Sequence, residues 1–103
     1  MANNRWTEKA QNALRLSYEA ASALGHNYVG SEHILLGLLG EKRGVASKIL
    51  LSYGVTGDSL TAAIVQAIGK GTPGVQPMGM TPHAKEIMEL AAAEAAAQGA
   101  GYI

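Results

Sequence analysis

The stretch that decides the fold is Gly25-His-Asn-Tyr-Val-Gly-Ser-Glu-His-Ile-Leu-Leu-Gly-Leu-Leu39. It joins the end of one predicted helix to the start of another through a short polar link. Gly25 is the residue type that ends a helix in the left-handed conformation, and Ser31 is a favoured helix cap. The residues after His33 are apolar around nearly the whole helix circumference, so we expect this second helix to be central.

A degenerate repeat relates the two ends of the chain. Residues 7–29 align with residues 81–103 at a constant offset of 74, without gaps, and seven of the 23 pairs are identical. The identical pairs are Thr7/Thr81, Ala10/Ala84, Leu16/Leu90, Ala21/Ala95, Ala23/Ala97, Gly25/Gly99 and Tyr28/Tyr102. Self-similarity of this kind predicts a helical repeat.

Caps and apolar spacing predict five helices. The first runs from a cap at Thr7 to a stop at Gly25, and the fifth opens at Thr81-Pro82 and ends at Gly99. Between them we expect a helix from Ser31, a third carrying Val45, Ala46, Ile49, Leu50 and Tyr53, and a fourth from Thr56 or Asp58 to Gly69. Residues 40–44 read as an exposed turn. No segment alternates as a strand would, so the predicted fold class is all-α.

Composition divides the chain into three parts. Residues 1–69 hold four helices and are predicted to form one helical unit. Residues 70–80 are rich in glycine and proline and show no helical stripe, which predicts a linker. Residues 81–103 begin a second unit with one helix. That helix lacks its own partners, so it must dock on the first unit or self-associate through an exposed seam.

The totals exclude several classes of function. Eight acidic and eight basic residues cancel, which leaves no electrostatic footprint for nucleic acid or an anionic membrane. A helix-turn-helix DNA binder built from the second and third helices is therefore disfavoured. Cysteine is absent, as suits a reducing compartment. Neither a signal peptide nor a membrane-spanning apolar run is visible, so the sequence predicts a cytoplasmic protein.

A known family resembles this sequence. The motif Val29-Gly-Ser-Glu-His-Ile-Leu-Leu-Gly-Leu-Leu39, with Gly25-His-Asn before it and Gly44-Val-Ala after it, is similar to the amino-terminal (Clp N) domain of Clp-type AAA+ unfoldases. It most resembles the ClpC branch. The resemblance implies a pseudo-symmetric pair of four-helix repeats, of which this chain holds the first repeat and the first helix of the second. It also implies a domain that delivers substrate proteins and adaptor proteins to an ATPase ring.

The resemblance further implies a ligand site at Glu32, with Ser31 beside it, because some ClpC domains recognise phosphorylated arginine. The chemistry is coherent. A free carboxylate holds a guanidinium through paired charge-assisted hydrogen bonds, and a helix amino terminus offers unpaired N–H donors for a phosphate. His33 is the third residue of this candidate site, where it would orient Glu32. The alternative is purely structural: an acid in the first turn stabilises its own helix, Ser31 is simply a cap, and His33 is partly exposed polar surface.

The sequence offers no catalytic or cofactor site. A phosphate-binding loop needs glycine, four residues and then Gly-Lys-Ser/Thr, but the position upstream of Gly69-Lys70-Gly71 is Ile64. We therefore expect ATP to be used only by a parent unfoldase. The histidines at positions 26, 33 and 83 match no metal-ligand spacing, so no metal is predicted.

Two functions remain in view. The first is a non-catalytic substrate- and adaptor-binding domain of a ClpC-like unfoldase that acts with a Clp protease. The second is a free-standing regulator that docks on the protease complex and competes for adaptors. An ATPase module downstream in the reading frame would separate the first from the second.

Overall fold

The computed structural model describes residues 6–99 and 102–103 and confirms an all-α fold. The helices are α1 Glu8–Leu24, α2 Ser31–Gly40, α3 Val45–Ser52, α4 Gly57–Ile68 and α5 Pro82–Ala97. In this part of the chain no helix is long and apolar enough to cross a membrane.

The repeat seen in the sequence is also a repeat of local geometry. Thr7 caps α1 and Thr81 caps α5, each by accepting a hydrogen bond at its side-chain oxygen from the backbone N–H three residues on, at 3.1 Å and 3.0 Å. Gly25 and Gly99 follow the two helices with φ of 74° and 75°. Such a left-handed conformation is accessible to glycine at little cost.

A reciprocal pair of hydrogen bonds ties the two copies together. The N–H of Thr81 donates to the carbonyl of Val29 at 2.9 Å, and the N–H of Thr7 donates to the carbonyl of Ile103 at 3.0 Å. If each residue of one bond is replaced by its repeat equivalent, 74 positions away in the sequence, the other bond results. The structure therefore shows α5 docked on the first unit in a pseudo-symmetric position, which is one of the two outcomes that the sequence predicted.

Helix α2 is central, as predicted, because it packs against each of the other four helices. It crosses α1 at very close range through Gly37. A Cβ atom at Gly37 would lie closer than 3.0 Å to both the Ala13 carbonyl oxygen and Ser17 Oγ. The buried hydrophobic core cluster consists of Ala21, Val29, Ile34 and Ala84. Three partly buried residues pack against it: Tyr18, Met80 and Met88.

The turn after α2 is not wholly exposed, and this corrects the sequence-based prediction. Glu41 is only 5% exposed. Asn12 Nδ2 donates to its carboxylate at 2.8 Å, and Arg43 donates from its backbone N–H and from its guanidinium at 3.1, 3.0 and 2.8 Å. These bonds lower the pKa of Glu41 to about 2, and the side-chain hydrogen bond from Arg43 has the largest effect. A buried carboxylate is tolerated when its oxygens are paired in this way.

The apolar stripe that predicts α3 is only partly buried. Val45, Ile49 and Tyr53 are exposed, and Ala46 and Leu50 are half-buried. The fully buried residue of this helix is Ser47. The hydroxyl of Ser47 donates to the carbonyl of Leu39 at 2.8 Å, near the carboxyl end of α2. Carbonyls at a helix end lack intrahelical donors, so a serine serves there better than an aliphatic residue.

The segment of residues 70–80 carries no helix and is tied to the first unit along its length. Its backbone bonds are Gly71 N–H to Leu24 O, Gly74 N–H to Ser22 O, Met78 N–H to Asn27 O and Val29 N–H to Gly79 O, at 2.7–2.9 Å. An isolated parallel β-bridge joins Val29 to Met80. Gly71 shows why this segment needs a glycine. Its backbone lies so close to that of Gly25 that a side chain on either residue would clash.

Candidate functional site

The start of α2 differs from its predicted form. Ser31 is the first helical residue, and Gly30 is the cap, with an extended backbone (φ −102°, ψ −178°) and no side chain to offer. The prediction of Ser31 as the cap was therefore wrong. The ring of His33 is bonded instead, because its Nδ1 accepts a hydrogen bond from the N–H of Gly30 at 2.9 Å.

Glu32 folds back over this helix start. A Cβ atom at Gly30 would lie 2.6 and 2.8 Å from the two carboxylate oxygens of Glu32. The Glu32 side chain is 35% exposed, and its carboxylate lies 3.9 Å from Nδ1 of His33. Within the described residues no donor makes a hydrogen bond to this carboxylate, so its oxygens are available to a ligand.

Free backbone donors lie beside this carboxylate. The N–H groups of His33 and Ile34 both donate to the carbonyl of Gly30, at 3.0 and 3.1 Å. Those of Ser31 and Glu32 have no acceptor in the described part of the chain, as is usual in a first helical turn. The site therefore places an anionic group next to unpaired donors at the positive end of a helix dipole.

His33 lies in the interior, which corrects the prediction of partly exposed polar surface. It is 1% exposed and is the largest fully buried side chain described. Its Nε2 lies 2.7 Å from Nδ1 of His26, and Nε2 of His26 lies 2.8 Å from the carbonyl oxygen of Gly69. The pKa of His33 is lowered, and burial of the ring is the largest cause. The charge of Glu32 raises that pKa, whereas the charge of His26 lowers it.

Sequence reasoning missed His26 as a partner of His33. The two residues are separated by a helix end, a loop and a helix start, and no local spacing rule covers such a connection. His83 lies apart from them, exposed on α5 and 3.7 Å from Glu86. Within the described ranges, no group of three or more histidine, aspartate or glutamate side chains could hold a metal ion.

An apolar groove of about 290 Å³ lies between α1, α2 and α5. Its lining residues are Trp6, Ala10, Ala13, Leu14, Ser17, Ile34, Leu38, Ile87, Met88, Ala91 and Ile103. Three pairs among them are related by the repeat offset: Ala13 with Ile87, Leu14 with Met88 and Ser17 with Ala91. The groove therefore lies where the two copies of the repeat face each other.

Comparison with known proteins shows the family. The family described as the Clp repeat (R) N-terminal domain matches residues 5–103. The chain is 43% identical over 103 residues to the "Chaperone protein ClpB" of Oceanobacillus iheyensis, covering 100% of this chain and 13% of that protein. It is 41% identical over 103 residues to the "Negative regulator of genetic competence ClpC/MecB" of Bacillus subtilis, again covering 100% of this chain and 13% of the relative.

A plant relative and a solved structure agree with this assignment. The chloroplastic "Chaperone protein ClpC2" of Arabidopsis thaliana is 44% identical over 100 residues, which are 96% of this chain and 10% of that protein. The crystal structure of the N-terminal domain of the chaperone ClpD from Arabidopsis thaliana superimposes with a TM-score of 0.81 at 25% identity, covering all of this chain and 71% of that one. The chain thus spans about an eighth or less of the curated relatives. It belongs to the Clp repeat N-terminal domain family.

Proposed function

We propose that this chain is the substrate- and adaptor-receiving domain of a ClpC-like unfoldase, and that the start of α2 binds phosphoarginine. One observation carries the ligand proposal: the Glu32 carboxylate is partly exposed, accepts no hydrogen bond within the described residues, and lies beside unpaired backbone donors. The domain itself performs no chemistry in this proposal.

The ligand chemistry follows from this arrangement. The Glu32 carboxylate accepts two parallel hydrogen bonds from a guanidinium, a geometry that lysine cannot reproduce. The N–H groups of Ser31 and Glu32, aided by the helix dipole, donate to the attached phosphoryl group. His33 does not touch the ligand; it holds Gly30 and thereby the first turn of α2.

The wider role rests on the relatives. Two of their names describe chaperones, and the name of a further relative describes the ATP-binding subunit of an ATP-dependent Clp protease. ATP use and unfolding would belong to the parent protein beyond the part that matches this chain. Adaptor proteins would use apolar surface, for which the groove between α1, α2 and α5 is available. A bacterial parent protein would act in the cytoplasm. Self-association through the groove stays a prediction, which sedimentation velocity can measure.

Calorimetric titration with phosphoarginine tests the ligand proposal. Glu32→Gln removes the charge and should weaken binding about 10- to 100-fold, in line with the ~1.5–3 kcal/mol of a charge-assisted bond. Glu8→Gln is the matched control, since Glu8 also lies in the first turn of a helix, and it should bind as the parent chain does. Gly30→Ala is a second probe, because its methyl group must displace the Glu32 carboxylate without removing it.

The outcomes separate the alternatives. Binding that survives in Glu32→Gln, or falls equally in Glu8→Gln, would contradict a site at α2. If the unsubstituted chain does not bind phosphoarginine, Glu32 is only a first-turn acid that stabilises its helix by about 0.3–1 kcal/mol. A fall in the melting temperature of Glu32→Gln, with no change in binding, would support that structural reading.

A further inference from the structure

We propose that His26 and His33 form a proton-operated latch, which holds the start of α2 to the end of α4 and opens when one proton is added. The latch regulates the site at Glu32, and this last step rests on the proposed function. The latch itself rests on four groups in a continuous line: Gly30 N–H, the ring of His33, the ring of His26 and the carbonyl of Gly69.

Only one arrangement of protons satisfies this line when both rings are neutral. The N–H of Gly30 donates to Nδ1 of His33, so the proton of that ring is on Nε2. This Nε2–H donates to Nδ1 of His26, so the proton of His26 is also on Nε2. The Nε2–H of His26 then donates to the carbonyl of Gly69. Every donor meets an acceptor, and both rings are Nε2–H tautomers.

An added proton cannot be accommodated in this line. If it enters at Nδ1 of His26, that N–H faces the N–H of His33, and His33 must move its own proton to Nδ1. The new Nδ1–H then faces the N–H of Gly30. If it enters at Nδ1 of His33, the same conflict with Gly30 arises at once. Either way, one hydrogen bond breaks at a ring that is 1% exposed.

The displaced Nδ1–H has a new acceptor close by. Glu32 Oε2 lies 3.9 Å from His33 Nδ1, so a small rotation brings the protonated ring into contact with the carboxylate. Within the described residues the charges acting on His33 are those of Glu32 and His26. On the side of α4 the line meets the carbonyl of Gly69, which is followed by the exposed Lys70. Protonation thus turns the Glu32 carboxylate inward and releases the bond that fixes Gly30.

The ring nitrogens give a direct test. In long-range ¹H–¹⁵N spectra at pH 8, both His26 and His33 should show Nε2–H tautomers, and the Gly30 amide should exchange slowly. As the pH falls, both rings and the Gly30 amide should change together. Glu32→Gln should lower the midpoint of that change, because the Glu32 charge favours the protonated ring. An Nδ1–H tautomer in either ring at pH 8, or independent titration of the two rings, would overturn the latch.

Unfolding equilibria test the same idea without spectroscopy of the rings. While the line excludes a proton from each of the two rings, the unfolding constant should rise by up to about a hundredfold per pH unit as the pH falls below the ordinary histidine value. His26→Gln leaves only the ring of His33, so it should reduce this dependence to at most about tenfold per pH unit. His83→Gln is the matched control, because His83 is exposed on α5, and it should leave the dependence unchanged. An equal pH dependence in His26→Gln and the parent chain would overturn the latch.

Ligand binding tests the regulatory step separately. Phosphoarginine should bind the unsubstituted chain and His83→Gln more weakly at pH 6 than at pH 7.5. His33→Gln should lose most of this difference, because it replaces the ring whose protonation releases Gly30 and attracts Glu32. A pH dependence that is the same in His33→Gln would overturn the coupling between latch and site. Absence of binding at both pH values would refute the proposed function together with the coupling, whereas the ring tautomers and the unfolding equilibria would still decide the latch.

Discussion

The crossing of α1 and α2 at Gly37 yields the sharpest prediction about stability. Substituting Gly37→Ala adds one methyl group at a point where the α2 backbone touches α1. That methyl group would lie closer than 3.0 Å to the Ala13 carbonyl oxygen and to Ser17 Oγ. The first of these atoms belongs to the backbone of a helix and cannot swing aside. The helices must therefore move apart or the substitution must distort one of them.

The magnitude follows from three contributions. Alanine is a better helix former than glycine by about 1 kcal/mol, which favours the variant. Overpacking a close contact costs about 1–3 kcal/mol. Ser17 Oγ now donates to the carbonyl of Ala13 at 2.8 Å, and rotating it away leaves a buried hydroxyl unpaired at a cost of about 1–3 kcal/mol. We expect a net loss of about 1–5 kcal/mol, with a central value of about 3 kcal/mol, from a total of about 5–15 kcal/mol for a domain.

Guanidinium chloride unfolding followed by circular dichroism measures this loss. The midpoint should fall without a change in slope, and the melting temperature should fall by about 10–25 °C. Gly57→Ala is the matched control because a Cβ atom at Gly57 in α4 meets nothing within 4 Å. It gains only the helix-forming advantage, so it should be neutral or more stable by up to about 1 kcal/mol.

A double variant separates the two clashes at this crossing. Ser17→Ala removes the hydroxyl but leaves the carbonyl oxygen of Ala13 in place. Ser17→Ala with Gly37→Ala should therefore recover only part of the lost stability. If Gly37→Ala is as stable as Gly57→Ala, the close approach of the two helices is refuted. Full recovery in the double variant would show that the backbone contact contributes nothing.

Other positions carry further predictions. Thr7→Ala and Thr81→Ala should each cost about 1 kcal/mol in denaturant unfolding, because each removes an equivalent cap; a tolerated Thr81→Ala would contradict the docking of α5. The pKa of Glu41 is lowered to about 2, so the ionised carboxylate stabilises the folded chain above the ordinary glutamate pKa, and this stabilisation is lost as the pH falls towards 2. In Glu41→Gln, the free energy of unfolding in urea should therefore depend less on pH between pH 5 and 2.5. Gly71→Ala should lower the melting temperature although Gly71 is exposed, because it meets the Gly25 backbone.

Helix ends were predictable because their signals are local. The side-chain oxygens of Thr7 and Thr81 each accept a hydrogen bond from the backbone N–H three residues later, as capping rules require. Gly25 takes the left-handed conformation. The offset between the two copies was visible in the sequence for the same reason, since identical caps and stops recur at the same spacing. The sequence thus predicted the helices and the repeat from interactions within four residues.

The start of α2 was predicted less well because its partners are distant. A serine before an acid normally indicates a cap, but here the ring of His33 accepts from the N–H of Gly30. That ring is bonded to His26, which is itself bonded to the carbonyl of Gly69. Gly69 lies 43 residues from His26 along the chain. Glu41 is similar, since its bond to Asn12 spans 29 residues. Burial of a charged or titratable group depends on such contacts, which no local pattern encodes.

The apolar groove can be explained by the repeat itself. In α1, Ala13 and Ser17 are buried where α2 crosses them. Their counterparts in α5, Ile87 and Ala91, have the same spacing, line the same groove and are half-buried. Because the repeat carries the apolar stripe twice, α5 presents an apolar side to the groove that is less covered than the stripe of α1. The groove and the proposed site at Glu32 thus have different origins. The groove is lined by an apolar stripe that the repeat carries twice, whereas the start of α2 is shaped by the buried His33 and its half-buried partner His26.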